Sequence, residues 1–137
     1  ITHWLRVDIN NSNQRQTLKS ALNRLTEVKN VRIALLDCES KENQDDNAQR
    51  SLRAVLQRCD ESQSLKQCLN SIKLLIDAIE NNNIPNDAKQ LEAIGIKKIE
   101  KHWNNAKVVD QKQSAFCRQI PSHSIVVNGR LITLEKN

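Results

Sequence analysis

The chain has 137 residues and a net charge of +5, and it is 38% hydrophobic with only 2% aromatic residues. That length suits one domain with a small core of Leu, Ile, Val and Ala, and two glycines with two prolines leave few tight turns. No apolar run approaches the ~20 residues of a membrane-spanning helix, and the basic residues are interleaved with Asp, Glu and Gln as on a solvated helical face, which argues against a nucleic-acid groove.

Thr2 to Ile9, THWLRVDI, is expected to be a strand with imperfect alternation. The sequence opens directly in this pattern with no leader before it, so it is expected to begin inside a longer chain. Asn10-Asn11-Ser12 supplies a turn and a helix cap. Leu18, Ala21, Leu22, Leu25 and Val28 then recur at helical spacing, and Asn30 ends the stripe. Val31 to Leu36, VRIALL, is a continuous apolar run suited to a strand buried on both faces. Strand, helix and strand make a βαβ unit with parallel strands and a right-handed crossover.

A polar loop, Ser40 to Asp46, leads into a second helix marked by Ala48, Leu52, Val55, Leu56 and Cys59. Asp60-Glu61-Ser62 is expected to interrupt it. A third helix carries Leu65, Cys68, Leu69, Ile72, Leu75, Ile76 and Ile79, the widest apolar stripe of the chain. The run Asn81 to Asn86 breaks it. Two short helices follow, at about Ala88 to Asn104, with Gly95 inside, and Asp110 to Gln119. Val126-Val127, Asn128-Gly129 and Leu131-Ile132 form a hairpin with a two-residue turn, because Asn-Gly suits positive φ at both turn positions.

The order β-α-β, helical block, β-hairpin is that of a thioredoxin-like fold. It predicts an α/β domain over 1–137 with a four-stranded mixed sheet, order 2-1-3-4, and an inserted helical block at about 45–119. Ile120-Pro121 stands where that fold places a proline opposite the first helix, and is expected to start a strand, with a cis bond as one option.

No residue qualifies as catalytic. Thioredoxin chemistry needs a low-pKa thiolate at the start of the first helix and a resolving cysteine three residues on. The junction here is Asp8-Ile9-Asn10-Asn11-Ser12-Asn13. Of the four cysteines, Cys59 and Cys68 flank the Asp60-Ser62 break. They are either bridged, stapling two helices, or two buried apolar thiols on their stripes. Cys38 and Cys117 are weaker candidates for a pair. No cysteine spacing is that of a zinc site, and His3, His102 and His123 are isolated, so no metal is expected. Asn10-Asn11-Ser12 is also an N-glycosylation sequon, with a plain helix cap as the competing reading.

Several stretches together resemble a thioredoxin-like domain of UDP-glucose:glycoprotein glucosyltransferase, nearest the third such domain. They are WLRVDINNSNQRQTLKSAL (Trp4–Leu22), NVRIALL (Asn30–Leu36), SLRAVLQ (Ser51–Gln57), AFCRQI (Ala115–Ile120) and VVNGRLI (Val126–Ile132). The chain departs from the family in Thr133-Leu134-Glu135, where Gly-Pro-Leu is usual, and in Pro121, where Gly is frequent. The resemblance implies a non-catalytic, redox-inactive module in the lumen of the endoplasmic reticulum. It implies misfolded glycoproteins and neighbouring domains as partners, with neither nucleic acid nor membrane. No cofactor is implied here; UDP-glucose and a divalent metal belong to a separate catalytic domain. A divergent thiol-disulfide oxidoreductase using Cys59 and Cys68 is the competing reading. The sequence stops after the last strand pattern, without the closing helix usual in the fold, so the helix face at Leu18, Leu22 and Leu25 is expected to be bare and to bind apolar partners.

Overall fold

The structure is a computed structural model that describes residues 2–27, 32–36, 46–62, 64–107, 119–121, 123–127 and 130–134. The expected helix over Asp110–Gln119 (all but its last residue), the Asn128-Gly129 turn, Val28, and Cys38 with Cys117 lie outside these residues. The chain forms two compact units, one from Ile1–Ser40 with Val109–Asn137 and the other from Lys41–Val108.

The first unit holds β1 (Thr2–Arg6), α1 (Ser12–Glu27), β2 (Arg32–Leu35), β3 (Ser124–Val127) and β4 (Arg130–Thr133). The sheet is mixed, in the order β2-β1-β3-β4. β1 runs parallel to β2 and antiparallel to β3, and β3 is antiparallel to β4. The expected first strand is shorter than its apolar pattern. Val7 and Ile9 are buried, but pairing stops at Arg6 and the chain turns at Ile9-Asn10. Burial gave those residues their strand-like pattern; among the described residues no neighbour pairs with them. The Leu36 N–H still donates to the Leu5 carbonyl (2.9 Å), extending the parallel pair by one residue.

Four side chains start helix α1. The Asn11 amide oxygen accepts from the Gln14 N–H (3.1 Å), the N-cap bond that satisfies one orphan donor. The buried Gln14 side chain reaches back and accepts from the Asp8 N–H (2.6 Å). Asp8 in turn accepts from the Asn10 N–H through its carboxylate (2.9 Å), and Arg15 donates to the Ile9 carbonyl (2.9 Å). The junction is thus fixed by side-chain-to-backbone bonds.

The second unit is helical: α2 (Asn47–Ser62), α3 (Leu65–Glu80), α4 (Ala88–Ala93) and α5 (Glu100–Asn105). Asp60 and Glu61 do not interrupt α2, which continues through Ser62. The true boundary is Ser64, which caps α3 in a reciprocal box with Gln67. α3 buries Leu69, Ile72, Leu75, Ile76 and Ile79 and packs on α2. It ends where Asn82 adopts φ +57°, with Asn82 N–H bonded to the Ile79 carbonyl and Asn83 N–H to the Ala78 carbonyl. The helix expected over 88–104 is two helices. Gly95, at φ +106°, closes α4 in the same way, through Gly95 N–H to Glu92 O and Ile96 N–H to Leu91 O. A Cβ at Gly95 would also lie 3.3 Å from a Leu74 methyl carbon.

Candidate functional site

Two places in the molecule carry chemistry worth weighing: the β1–α1 junction of the first unit and the disulfide region of the second.

At the junction, Asp8 to Asn13 contain no thiol, and the Asp8 and Asn11 side chains hold the turn and the helix start. Ile120 and Pro121 precede β3, whose first residue, Ser124, pairs with Arg6 at the end of β1, so they lie at the junction's end of the sheet. The Arg6 guanidinium donates to the Ile120 carbonyl, and the Ile120–Pro121 bond is trans, the described residues holding no cis bond. Burial holds the Arg6 guanidinium below its ordinary pKa, while the carboxylate of Asp8 works the other way. His123, buried and at φ +57°, hydrogen-bonds through Nε2 to the Thr17 hydroxyl (2.7 Å), tying the start of β3 to α1. The arrangement is a set of braces. Its one histidine faces a hydroxyl of a helix whose interior it orders.

The apolar face expected on α1 is corrected by the structure. Leu18 and Leu22 are buried and Leu25 is half-buried. Leu18 and Leu22 are core, and a partner cannot reach them on the folded chain. The exposed apolar surface of the first unit lies elsewhere. Trp4 is 42% exposed, Leu131 45% and Ile132 43%. Trp4 pairs with Val126, which pairs with Leu131, so the three form one row across the sheet. β4 is the outer strand, and all four of its residues are exposed. The Leu134 N–H donates to the His123 carbonyl (2.9 Å). By the alternation of an antiparallel ladder, this turns the backbone groups of Leu131 and Thr133 to the outer edge.

In the second unit, Cys59 and Cys68 are joined by a disulfide with Cα atoms 5.5 Å apart, linking the last turn of α2 to the first of α3. Both cysteines are half-buried. Beside this bridge in sequence, Glu61 sits 3.3 Å from His102 Nε2 and 3.4 Å from Lys101 Nζ. A feature missed by sequence reading is a pair of arginines one turn apart on α2. Arg50 donates twice to the Trp103 carbonyl (3.1 and 2.9 Å) and stacks on the Trp103 ring at 4.0 Å. The buried Arg53 donates to the Ala106 carbonyl (2.6 Å). Both guanidiniums therefore satisfy carbonyls at the C-terminal end of α5, where a cation is also favoured by the helix dipole. Burial and the neighbouring Arg53 charge lower the Arg50 pKa. Arg50 and Arg53 lie on a stretch, Ala48 to Val55, whose other residues are all buried.

Asn10 is exposed at the turn before α1. Among the described residues, no group of three or more His, Cys, Asp or Glu side chains is placed to hold a metal ion. No described helix is long and apolar enough to cross a membrane. A protein-family model described as a thioredoxin-like domain matches residues 1–137. No curated protein and no solved structure matches the chain.

Proposed function

Because the chain belongs to the thioredoxin-like domain family, we propose that it is a redox-inactive member that recognises non-native protein. In this reading it is one module of a folding-sensor glucosyltransferase of the endoplasmic reticulum lumen. The observation that carries the reading is the β1–α1 junction. A thiol-disulfide exchanger needs a nucleophilic thiolate there, and Asp8 to Asn13 supply a carboxylate, amides and a hydroxyl, with Asn11 capping α1 and no thiol among them. The glucosyltransferase setting is supported by the resemblance of the stretches from Trp4 to Ile132 quoted above. Glucosyl transfer, with UDP-glucose and a divalent metal, falls to a separate domain, and the neighbouring domains of the same chain are further partners.

Recognition is hydrophobic and backbone-directed. The outer edge of β4 offers the backbone groups of Leu131 and Thr133, flanked by exposed Leu131 and Ile132. Such an edge accepts an extended segment as an added strand, with side-chain contacts on either face. Non-native glycoproteins display extended apolar segments that folded ones hide. The full-length protein with Leu131→Ser and Ile132→Ser should therefore transfer glucose less well to an unfolded glycoprotein, through a raised KM, while hydrolysing UDP-glucose at the unchanged rate. An unchanged KM for the unfolded glycoprotein would remove β4 from recognition.

The competing reading, a divergent dithiol oxidoreductase, has the Cys59–Cys68 bridge in its favour. It requires one of the two thiols, after mild reduction, to alkylate rapidly below neutral pH. Slow alkylation with ordinary thiol pH dependence rejects it.

A further inference from the structure

The first residue of β4 carries a charge without a described partner. Arg130 is exposed, and among the described residues its guanidinium makes no hydrogen bond and no ion pair. We propose that Arg130 sets the specificity of the β4 edge, which takes extended segments bearing an apolar residue followed two positions later by Asp or Glu. The inference rests on the edge-recognition reading given under Proposed function and names the kind of segment that edge accepts.

The hydrogen-bond phase of the strand fixes the pattern. The Leu134 N–H donates to the His123 carbonyl, so Leu134, Ile132 and Arg130 turn their backbone groups inward to β3, while Leu131 and Thr133 turn theirs outward. An antiparallel segment added outside β4 therefore exchanges hydrogen bonds with Leu131 and Thr133. It meets Ile132 and Arg130 at the non-bonded positions, where facing Cα atoms are only ~4.5 Å apart and side chains make their closest contacts. Ile132 and Arg130 share one face of the sheet, in the rows that contain Leu5 and His3. Because the added strand runs opposite to β4, its residue facing Ile132 comes first, and the one facing Arg130 comes two positions later. The residue between them faces Leu131 and must present its own N–H. The preferred sequence is thus apolar, any residue but proline, acidic.

A second copy of this chain does not meet that requirement. Antiparallel phase sets inward-bonded residues of one edge against inward-bonded residues of the other. Within the described strand, Arg130 of one copy would face Arg130, Ile132 or Leu134 of the other, none of them acidic. A charge on an edge strand also blunts pairing with segments that are wholly apolar. Attraction to a carboxylate and rejection of apolar or basic alternatives act together in one side chain.

The test measures binding of fluorescent extended peptides to the full-length protein by anisotropy at low salt. A peptide with one Leu-Thr-Glu unit should bind about two- to fivefold more tightly than the same peptide with Leu-Thr-Gln or Glu-Thr-Leu. A Leu-Pro-Glu peptide should lose binding. Arg130→Gln should abolish the preference, and Arg130→Glu should transfer it to Leu-Thr-Lys; the position is exposed, so neither variant threatens folding. Equal binding of Leu-Thr-Glu and Leu-Thr-Gln, or a preference that survives Arg130→Gln, overturns the proposal. If the peptides then still lose affinity on Leu131→Ser with Ile132→Ser, the edge reading stands and the role of Arg130 alone is dismissed. If they do not, the edge reading falls with it.

Discussion

The sheet unit and the helical unit solve the same problem, unsatisfied backbone at the ends of elements, in opposite ways. In the helical unit several such ends are closed, the N-terminus of α5 at Ile99 being left without a side-chain cap. Ser64 and Asp87 cap α3 and α4, Asn82 and Gly95 close their C-termini, and Arg50 and Arg53 cover the carbonyls at the end of α5. A disulfide then ties α2 to α3. In the sheet unit the start of α1 is as carefully braced, yet among the described residues β4 has no partner strand on its outer side, and each of its residues is exposed. Closure of polar ends costs nothing at the surface, so an edge left open beside two exposed apolar residues is a feature that stability does not demand. The contrast sets a helical unit with capped and cross-linked elements against a sheet unit with an exposed outer strand.

Four substitutions probe that division, and their expected effects decline in order. Leu75→Ala removes a fully buried side chain from α3 and should cost about 2–5 kcal/mol, measured by chemical denaturation. A cost below about 1 kcal/mol would mean that the helical unit is not the stability centre. Replacing Cys59 and Cys68 together by serine should cost roughly 2.7 kcal/mol on the loop-entropy account, for a loop of about ten residues. Arg53→Met keeps the apolar stem but strands the Ala106 carbonyl, and should cost about 1–3 kcal/mol. No change would show that water replaces the guanidinium. Leu131→Ser with Ile132→Ser should move stability by only about 0.5 kcal/mol, since both side chains are exposed. A large loss would reveal that β4 is part of the stable core and would dissolve the contrast.

Much of this architecture was readable from residue pattern. The continuous apolar run to Leu36, the helical stripe on α1 and the paired runs at the C-terminus gave the strand order, because periodicity reports which elements exist. The boundaries followed other rules. Val7 and Ile9 are apolar because they are buried in a turn, and Ile9 gives its carbonyl to Arg15. Asp60 and Glu61 look like a break but are tolerated in a helix; the decisive signal was Ser64 three residues before Gln67. Gly95 was visible as an oddity, and its effect depended on whether the chain turned left-handed there. The bare α1 face was an inference from what fold the chain lacks, and burial of Leu18 and Leu22 shows why absence is weak ground. The Arg50–Trp103 stack could not be read at all, since its partners are far apart in sequence and meet only through packing of α2 on α5.

The position of β3 between β1 and β4 has a consequence during synthesis. The ribosome delivers β1, α1 and β2 first, then the whole helical unit, and only afterwards the strand that pairs with β1. At ~5–20 residues per second, the inner edge of β1 waits on the order of ten seconds for β3. The Cys59–Cys68 bridge, by contrast, joins neighbours already outside the exit tunnel and can form within that interval. The nascent chain therefore passes through a stage in which a cross-linked helical unit trails a two-stranded sheet whose β1 edge still lacks β3. A holdase would have its strongest grip on it at that stage.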